Sequence, residues 1–307
     1  MWTALAAAAV SSLVSVPAVR WTMINVNTHD QQADAHLIQM PDDSYQMIDA
    51  GDNQDRLVPF LQRRGVKKIE RVFLSHLHKD HYAGLTAILD AGIEVCDVFV
   101  NRPDPSVCDA EVPWGCDSAD IDAMLEALKE KGVPVAGVKP GQVVYDKDGV
   151  RLQVLYAYDG VTTPVGRTDV NDTSILMSLE YGRTRVLFTG DLNAPLGTYL
   201  ASHATDLKAD ILKVPHHGTE AVAPNELFDR VGASLALVPS PRRLWLSERS
   251  ERVRWYLEKA GIRTLVSGLD GHVTVRIRKD GFKVVAPRPR RPGEGERQPR
   301  APQGPPS

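Results

Sequence analysis

The 307 residues carry 36 Lys and Arg against 39 Asp and Glu, a formal charge of −3, and 43% of them are apolar. That balance excludes a wholly disordered chain and a strongly basic one built to coat nucleic acid, and it supplies apolar side chains enough for one large core. Internal repeats and coiled-coil heptads are absent, and beyond the first 19 residues no apolar run is long enough to span a bilayer.

In chain order, an Ala-rich apolar stretch from Ala4 to Val14 closes on Val16, Pro17 and Ala18, a small-residue cleavage pattern. Residues 1–18 are expected to be an export signal or, because they lack Lys and Arg, an uncleaved N-terminal anchor. The remainder is then periplasmic or extracellular. Strands are expected from Thr22 to Val26, Ala35 to Met40 and Tyr45 to Ile48, followed by a helix from Gln54 to Arg64. A buried strand from Ile69 to Leu74 and a helix from Gly84 to Leu89 flank a histidine-rich loop. The next strand, Val95 to Val100, leads through a Pro-rich loop to a helix from Ile121 to Lys131. Strands from Arg151 to Tyr156, Ser174 to Glu180 and Thr184 to Phe188 precede helices from Ala194 to Ser202, Asn225 to Val231 and Glu251 to Ala260. Arg249, Arg252 and Arg254 read as a solvated helix face. A last hairpin begins at His272.

Residues 287–307 hold seven Pro, three Gly, five Arg and two Glu, a composition that builds no core and predicts disorder. Their charge of +3 leaves the body between the two ends, residues 19–286, near −6, which argues against tight non-specific binding to long nucleic acid. Cys96, Cys108 and Cys116 are too widely spaced for a zinc knuckle. In an exported protein Cys108 and Cys116 are expected to staple the Pro-rich loop, with Cys96 buried in its strand.

The loop after the Ile69 strand reads Ser75-His76-Leu77-His78-Lys79-Asp80-His81. Three imidazoles and a carboxylate in six positions are the borderline donors that suit Zn, Mn or Fe, whereas all-oxygen sets suit Mg or Ca. In extended backbone His76 and His78 project to the same side and reach one cation, and Asp80 and His81, past the turn, face a second. Two later strands end in the same residue types. Thr184 to Asp191 finishes Thr-Gly-Asp, where Gly190 lets the backbone turn so that Asp191 projects, and Ala209 to Gly218 stops at Pro215 and delivers His216 and His217. Ligands collected at successive strand ends form a common rim.

Taken together, Ile48-Asp49-Ala50-Gly51, the H-x-H-x-D-H run, Phe188-Thr189-Gly190-Asp191 and Lys213-Val214-Pro215-His216-His217-Gly218 resemble the successive motifs of metallo-β-lactamase-fold hydrolases. Within that superfamily, Asn171 to Leu176 followed by the Thr-Gly-Asp strand and Val-Pro-His-His-Gly resembles the hydrolase domain of the DNA-uptake competence protein ComEC and its free-standing relatives. The resemblance runs from Trp21 to Val285. It implies an α/β four-layer αββα sandwich, two mixed β-sheets face to face with helices outside, over residues 19–286. It further implies a dinuclear centre of Zn or Mn ions. His76 and His78 hold metal one, Asp80, His81 and His216 hold metal two, Asp191 bridges, and Asp49 braces the histidine loop from behind. His217 is left between orienting a ligand, contacting substrate and packing.

Three departures accompany the match. Most of the superfamily brings a third His to metal one about twenty residues before the Thr-Gly-Asp acid, yet none lies between His81 and His203 here, and Asn171 or Asp172 occupies that place. ComEC-like proteins share the gap, and an oxygen-rich site moves preference from Zn toward Mn. The glycine-rich segment expected near the start is replaced by Val26 to Ala35, and the expected Gly-His-Pro triplet by Pro241 to Ser247. In the latter, Arg242 or Arg243 is a candidate to grip a phosphate in a bidentate fork.

The implied activity is a metal-dependent hydrolase acting on a phosphodiester, either a small molecule or a nucleic acid, with Asp80 and Asp191 central and His272 a candidate to protonate the leaving group. A carboxylic ester, lactone or thioester hydrolase at the same metals is the second reading, and a non-catalytic, metal-stabilised binding module at the cell envelope is a third. No stable protein partner is evident from the sequence.

Overall fold

The computed structural model describes residues 16–111, 115–159, 169–204, 206–219 and 222–285. Residues 1–15 of the expected export segment, and the Pro- and Arg-rich tail, lie outside the described residues.

Two mixed sheets form the centre of the molecule. The first has eight strands in the spatial order Gly281–Val285, Val273–Arg278, Val19–Met23, Ala35–Gln39, Tyr45–Ala50, Lys68–Phe73, Glu94–Phe99 and Val135–Ala136. The second has seven, in the order Arg263–Val266, Leu235–Val238, Ile211–Lys213, Thr184–Phe188, Leu176–Tyr181, Val150–Tyr156 and Val143–Lys147. Each sheet contains a parallel half and an antiparallel half. The parallel strands read as continuous apolar runs, as in Leu-Ala-Leu-Val at 235–238, because helices and the facing sheet bury both faces.

Three apolar layers hold this sandwich together. Trp21, Ile38, Phe73, Met177, Phe188 and Leu237 belong to the layer between the sheets. Leu57, Leu61, Leu85 and Met124 pack the helices Gln54–Arg63, Gly84–Asp90 and Ser118–Glu130 against the first sheet. Leu196, Leu227 and Val253 do the same for the helices Ala194–His203, Asn225–Val231 and Glu251–Lys259 on the second. The order of layers is therefore helix, sheet, sheet, helix, the α/β sandwich implied by the motifs.

The two parallel halves deliver their C-terminal strand ends to a common rim. Ser75, just past Lys68–Phe73, accepts the Ile175 N–H at its carbonyl (2.8 Å) and so ties the histidine loop to the second sheet. At Gly190 the close approach has no room for a side chain: φ is +53°, and a Cβ would lie 2.5 Å from Ser174 Oγ and 3.1 Å from Ser75 Cβ. Glycine is thus required at the turn that projects Asp191.

Several sequence expectations are displaced. The first strand is Val19–Met23, three residues earlier than its apolar pattern indicates, and Ile24 and Val26 continue toward the rim as buried coil. Strands Val143–Lys147, Leu235–Val238 and Arg263–Val266 add to those expected from the sequence; they are short, and the second is apolar throughout, so period two gives no signal. Cys108 and Cys116 form the anticipated disulfide, while Cys96 is a partly exposed thiol rather than a buried one. Arg252 does not belong to a solvated face: its guanidinium donates to the Val222 and Ala223 carbonyls (both 2.9 Å) and to Asn225 Oδ1 (2.6 Å), pinning two helices together.

Trp21 is the largest side chain of the inter-sheet layer, edge-on to Phe188 at 4.9 Å with its Nε1–H donated to His36 Nδ1. Trp21→Ala is expected to cost about 3–5 kcal/mol in urea unfolding. A loss below about 1 kcal/mol would show that the sheets do not pack around it.

Candidate metal centre

The histidine loop is held from behind by one carboxylate. Asp49 takes a left-handed backbone (φ +55°) at the end of its strand, and Oδ1 accepts the Ser75 N–H at 2.7 Å. Its Oδ2 accepts the Ser75 hydroxyl at 2.8 Å and lies 2.9 Å from His81 Nδ1. Leu77, fully buried, anchors the loop between two histidines that turn the other way. His78 ends the extended segment, and Asp80 and His81 sit on the short helix Lys79–Tyr82 that follows. His76 Nε2 and His78 Nδ1 come within 3.1 Å of each other, as expected of side chains two apart in extended backbone.

A second group gathers across the rim. Ligand atoms of Asp80, His81, Asp191 and His217 all lie within 4.8 Å of one another. Asp191 Oδ2 is 3.2 Å from His81 Nε2 and 2.9 Å from His217 Nε2, and Asp80 Oδ2 is 3.3 Å from His217 Nε2. Each inward nitrogen is oriented by an acceptor on the opposite ring nitrogen: Asp49 for His81, and the Pro239 carbonyl, 2.6 Å away, for His217.

The structure therefore exchanges the two adjacent histidines. His217, not His216, joins Asp80, His81 and Asp191; His216 turns toward the opposite wall, its Nδ1 2.5 Å from Asn193 Oδ1. The cause is backbone conformation. His216, His217 and Gly218 all have positive φ (46°, 52° and 73°), so the strand end winds left-handed and sends neighbouring side chains in different directions. Two non-glycine residues in that region cost of order 1–3 kcal/mol each and persist where the surroundings over-determine them.

Of the two oxygen-bearing candidates near metal one, Asn171 lines the central cavity, and its Oδ1 is buried without a hydrogen-bond partner. Asp172 points away: its Oδ1 accepts the Asn193 N–H at 2.8 Å, at the start of the helix Ala194–His203. Burial pushes the Asp172 carboxyl up to about 6, with the Asp169 carboxylate adding to the rise against the Asn193 hydrogen bond.

Further residues come together that the motifs did not single out. Lys213, 1% exposed, places Nζ 2.5 Å from Asp34 Oδ2, 3.0 Å from Asp191 Oδ1 and 2.6 Å from the Gly190 carbonyl. Asp34 also meets His36 Nε2 at 2.6 Å. The signal was present as a lysine in the otherwise apolar Ile-Leu-Lys-Val strand and an acid just before an apolar one, each costly unless paired. Glu111 lies 2.7 Å from His78 Nε2, and nothing in its local sequence marks it.

These contacts fix the charges. Burial opposes ionisation of Asp191, but His217, Lys213 and His81 hold its carboxyl well below the usual carboxylate range. Asp80, also opposed by burial, is brought down to about 2 by His81 and His217. Burial would keep His81 neutral, yet Asp191, Asp49 and Asp80 raise it well above an ordinary imidazole. Against the same burial, Asp191 and Asp80 raise His217 to about 9. Burial, reinforced by the neighbouring His81 and His78, lowers His76.

A 920 Å³ cavity opens over these groups, lined among others by His78, Asp80, Glu111, Asn171, His216 and Arg249. Arg249, expected on a solvated helix face, lines this cavity. Arg243 instead pairs with Asp30 Oδ1 at 2.8 Å on the rim, and neither it nor Arg242 is among the lining residues. His272 is also outside the cavity: its Nδ1 accepts the Asn25 N–H and its ring packs on Phe60 at 4.6 Å, so the structure does not place it where a leaving group would sit.

The donor set fits divalent cations. His81 Nε2 and His217 Nε2 are buried and make no well-directed hydrogen bond, as is true of Asn171 Oδ1. Imidazole nitrogens oriented from behind and facing shared carboxylate oxygens are the arrangement of a metal site with its outer supports.

The profile of the metallo-β-lactamase superfamily matches residues 30–95. ComE operon protein 3 of Bacillus subtilis is 27% identical over 234 residues, 75% of this chain and 28% of that protein. Recombination protein 2 of Haemophilus influenzae is 25% identical over 186 residues, 61% of this chain and 19% of that one. The chain thus spans less than a third of the length of these relatives. Among solved structures, yeast PDE1 superposes with a TM-score of 0.50 at 12% identity, covering 84% of this chain and 99% of that one. A variant of the CmlA β-hydroxylase of Streptomyces venezuelae gives 0.52 at 12%, covering 85% and 54%. At such identity these two speak for the fold alone. Residues 30–95 thus match a metallo-β-lactamase superfamily domain, within a fold of two mixed sheets flanked by helices that carries a candidate metal-binding cluster on its rim. The chain is similar over most of its length to ComE operon protein 3 and Recombination protein 2, at 25–27% identity.

Because His217 titrates at about 9 in the apoprotein against 6.5 for an ordinary imidazole, a cation must displace its proton at neutral pH. Affinity should rise as pH increases toward 9, and calorimetry at pH 7.5 in buffers of differing ionisation enthalpy should report release of about one to two protons from His217 and His81. The raised pKa stabilises the apoprotein fully below about 6.5, and that contribution is lost as pH rises through about 9. Affinity that is flat from pH 7 to 9 with no proton release would contradict this protonation pattern.

Proposed function

We propose that the protein is a metal-dependent hydrolase of phosphodiester bonds, working with two divalent ions, Zn or Mn, outside the cytoplasm. The observation that carries the reading is the convergence of His76, His78, Asp80, His81, Asp191 and His217 from separate strand ends beneath one open cavity. Asp80, His81 and His217 would hold one ion and His76 and His78 the other, with Asn171 and His216 facing the second position and Asp191 between the two. Such a pair, when bound, supplies Lewis-acid polarisation of a phosphoryl oxygen and ionisation of water near neutral pH.

The chain's own residues set the conditions. Lys213 holds Asp191 Oδ1, so Oδ2 is directed at the imidazoles. Asn193 receives the His216 Nδ1–H and leaves Nε2 as that ring's lone-pair nitrogen. The cavity lining is rich in acids, with Asp30, Asp52, Asp80, Glu111, Asp117 and Asp169 against Lys79 and Arg249. Alone it repels an anion, and four positive charges from two cations cancel the excess of six acids over two bases, which couples binding of an anionic substrate to metal loading. The ComEC-like resemblance favours a phosphodiester over a carboxylic ester or lactone, and a nucleic acid or a small molecule both present that group.

Assay of the purified protein with Mn or Zn on bis(p-nitrophenyl) phosphate beside a lactone and thioester panel tests the choice. Phosphodiester turnover is expected to dominate, and Asp80→Asn or His217→Ala should lower kcat/KM by at least ~100-fold, about 2.7 kcal/mol of transition-state stabilisation. Full activity in Asp80→Asn, or turnover confined to the lactones, contradicts the reading.

A further inference from the structure

The outer edge of the His78 ring is met by two residues that belong to none of the motifs, Glu111 and Gly115. Glu111 Oε2 lies 2.7 Å from His78 Nε2, and its Oε1 accepts the Val170 N–H at 3.0 Å, next to Asn171. The loop that carries Glu111 and Gly115 is closed by the disulfide between Cys108 and Cys116, both buried in the layer under the first sheet. Gly115, beside Cys116, also abuts the ring: a Cβ there would lie 2.8 Å from His78 Nε2 and 3.2 Å from Glu111 Oε2. Residues near both ends of the disulfide-closed loop therefore touch the same imidazole edge.

Tautomer follows from this contact. A carboxylate only accepts, so His78 donates Nε2–H to Glu111 and keeps the lone pair on Nδ1, which faces His76 Nε2 at 3.1 Å. The same carboxylate fixes the backbone beside Asn171, on the opposite side of that position. Removal of such an outer acceptor costs metal sites about 10–100-fold in affinity.

We propose that Glu111, held in place by the Cys108–Cys116 disulfide, is a positioning residue for His78, so that the oxidation state of this cysteine pair sets the affinity of one of the two cation positions. The inference rests on the two-ion reading above. Reduction by an external dithiol takes two electrons and two protons from it, converts the cystine to two thiols and the dithiol to its own disulfide, and frees the loop from Cys116.

Equilibrium dialysis against Mn²⁺ alone, with metal content read by mass spectrometry, provides the test for wild type, Glu111→Ala, Glu111→Gln, Gly115→Ala and the Cys108→Ser/Cys116→Ser double variant. Wild type should take up two Mn²⁺. Glu111→Ala should weaken one class of site ~10–100-fold and leave the other unchanged, and Glu111→Gln, which keeps an acceptor oxygen, should recover most of the loss. The double Cys variant and Gly115→Ala should weaken the same class, and adding Glu111→Ala to the double Cys variant should weaken it little further. ¹⁵N shifts of the His78 ring in apoprotein should report Nε2–H in wild type and a tautomer mixture in Glu111→Ala. Wild-type uptake of two Mn²⁺ with Glu111→Ala and the Cys variant unchanged overturns this inference alone. Wild-type uptake of fewer than two overturns the two-ion reading and this inference with it.

Discussion

One carboxylate, that of Asp191, is divided between two opposite demands, and the rim is arranged around that division. Its Oδ1 meets the buried ammonium of Lys213 and its Oδ2 meets His81 and His217. Charges taken so far from water cost several kcal/mol each unless paired and hydrogen-bonded. The groups consequently come as a chain, Asp34 to Lys213 to Asp191 to His81 to Asp49, with His36 and the Trp21 indole closing one end. Loss of one member strands its neighbours. This is why residues from both sheets, remote in sequence, are locked into a single register at the rim.

The backbone bears part of the cost of that arrangement. Asp49, His216 and His217 hold left-handed conformations that L-residues avoid, and all three lie within the candidate centre. Gly190 and Gly218 hold the same conformation without a Cβ, where Ser174 and Trp245 leave no room for one. Strain gathered at the ends of parallel strands, with regular apolar sheets beneath, is the pattern of a site placed on a rigid scaffold.

The elements of the sandwich that could be read from sequence were those with a strong local period or strong turn chemistry. Helices Gln54–Arg63 and Asn225–Val231 and strand Thr184–Phe188 fall within a residue of expectation, because their apolar spacing and flanking polar residues agree. The short strands Leu235–Val238 and Arg263–Val266 were invisible, since four residues give no period. At the site, the strand ends carrying His76 to His81, Asp191 and the His216-His217 pair were legible as ligand types at turn positions. Which of two adjacent histidines enters the cluster was not, because it depends on φ signs that only the folded turn imposes. Lys213 is marked only as a charge in an apolar strand, which shows that it needs a partner but not which one, and Glu111 has no local mark because its partner His78 lies 33 residues away.

The division of Asp191 between Lys213 on Oδ1 and two imidazoles on Oδ2 fixes where a pair of ions would lie. Crystals grown with Mn²⁺ and measured at an anomalous wavelength should show two peaks, one beside Asp80, His81 and His217 and the other beside His76 and His78, on either side of Asp191 Oδ2 and about 3.5–4 Å apart. A single peak, or peaks elsewhere on the molecule with the imidazoles of His81 and His217 still paired only to carboxylates, would contradict it.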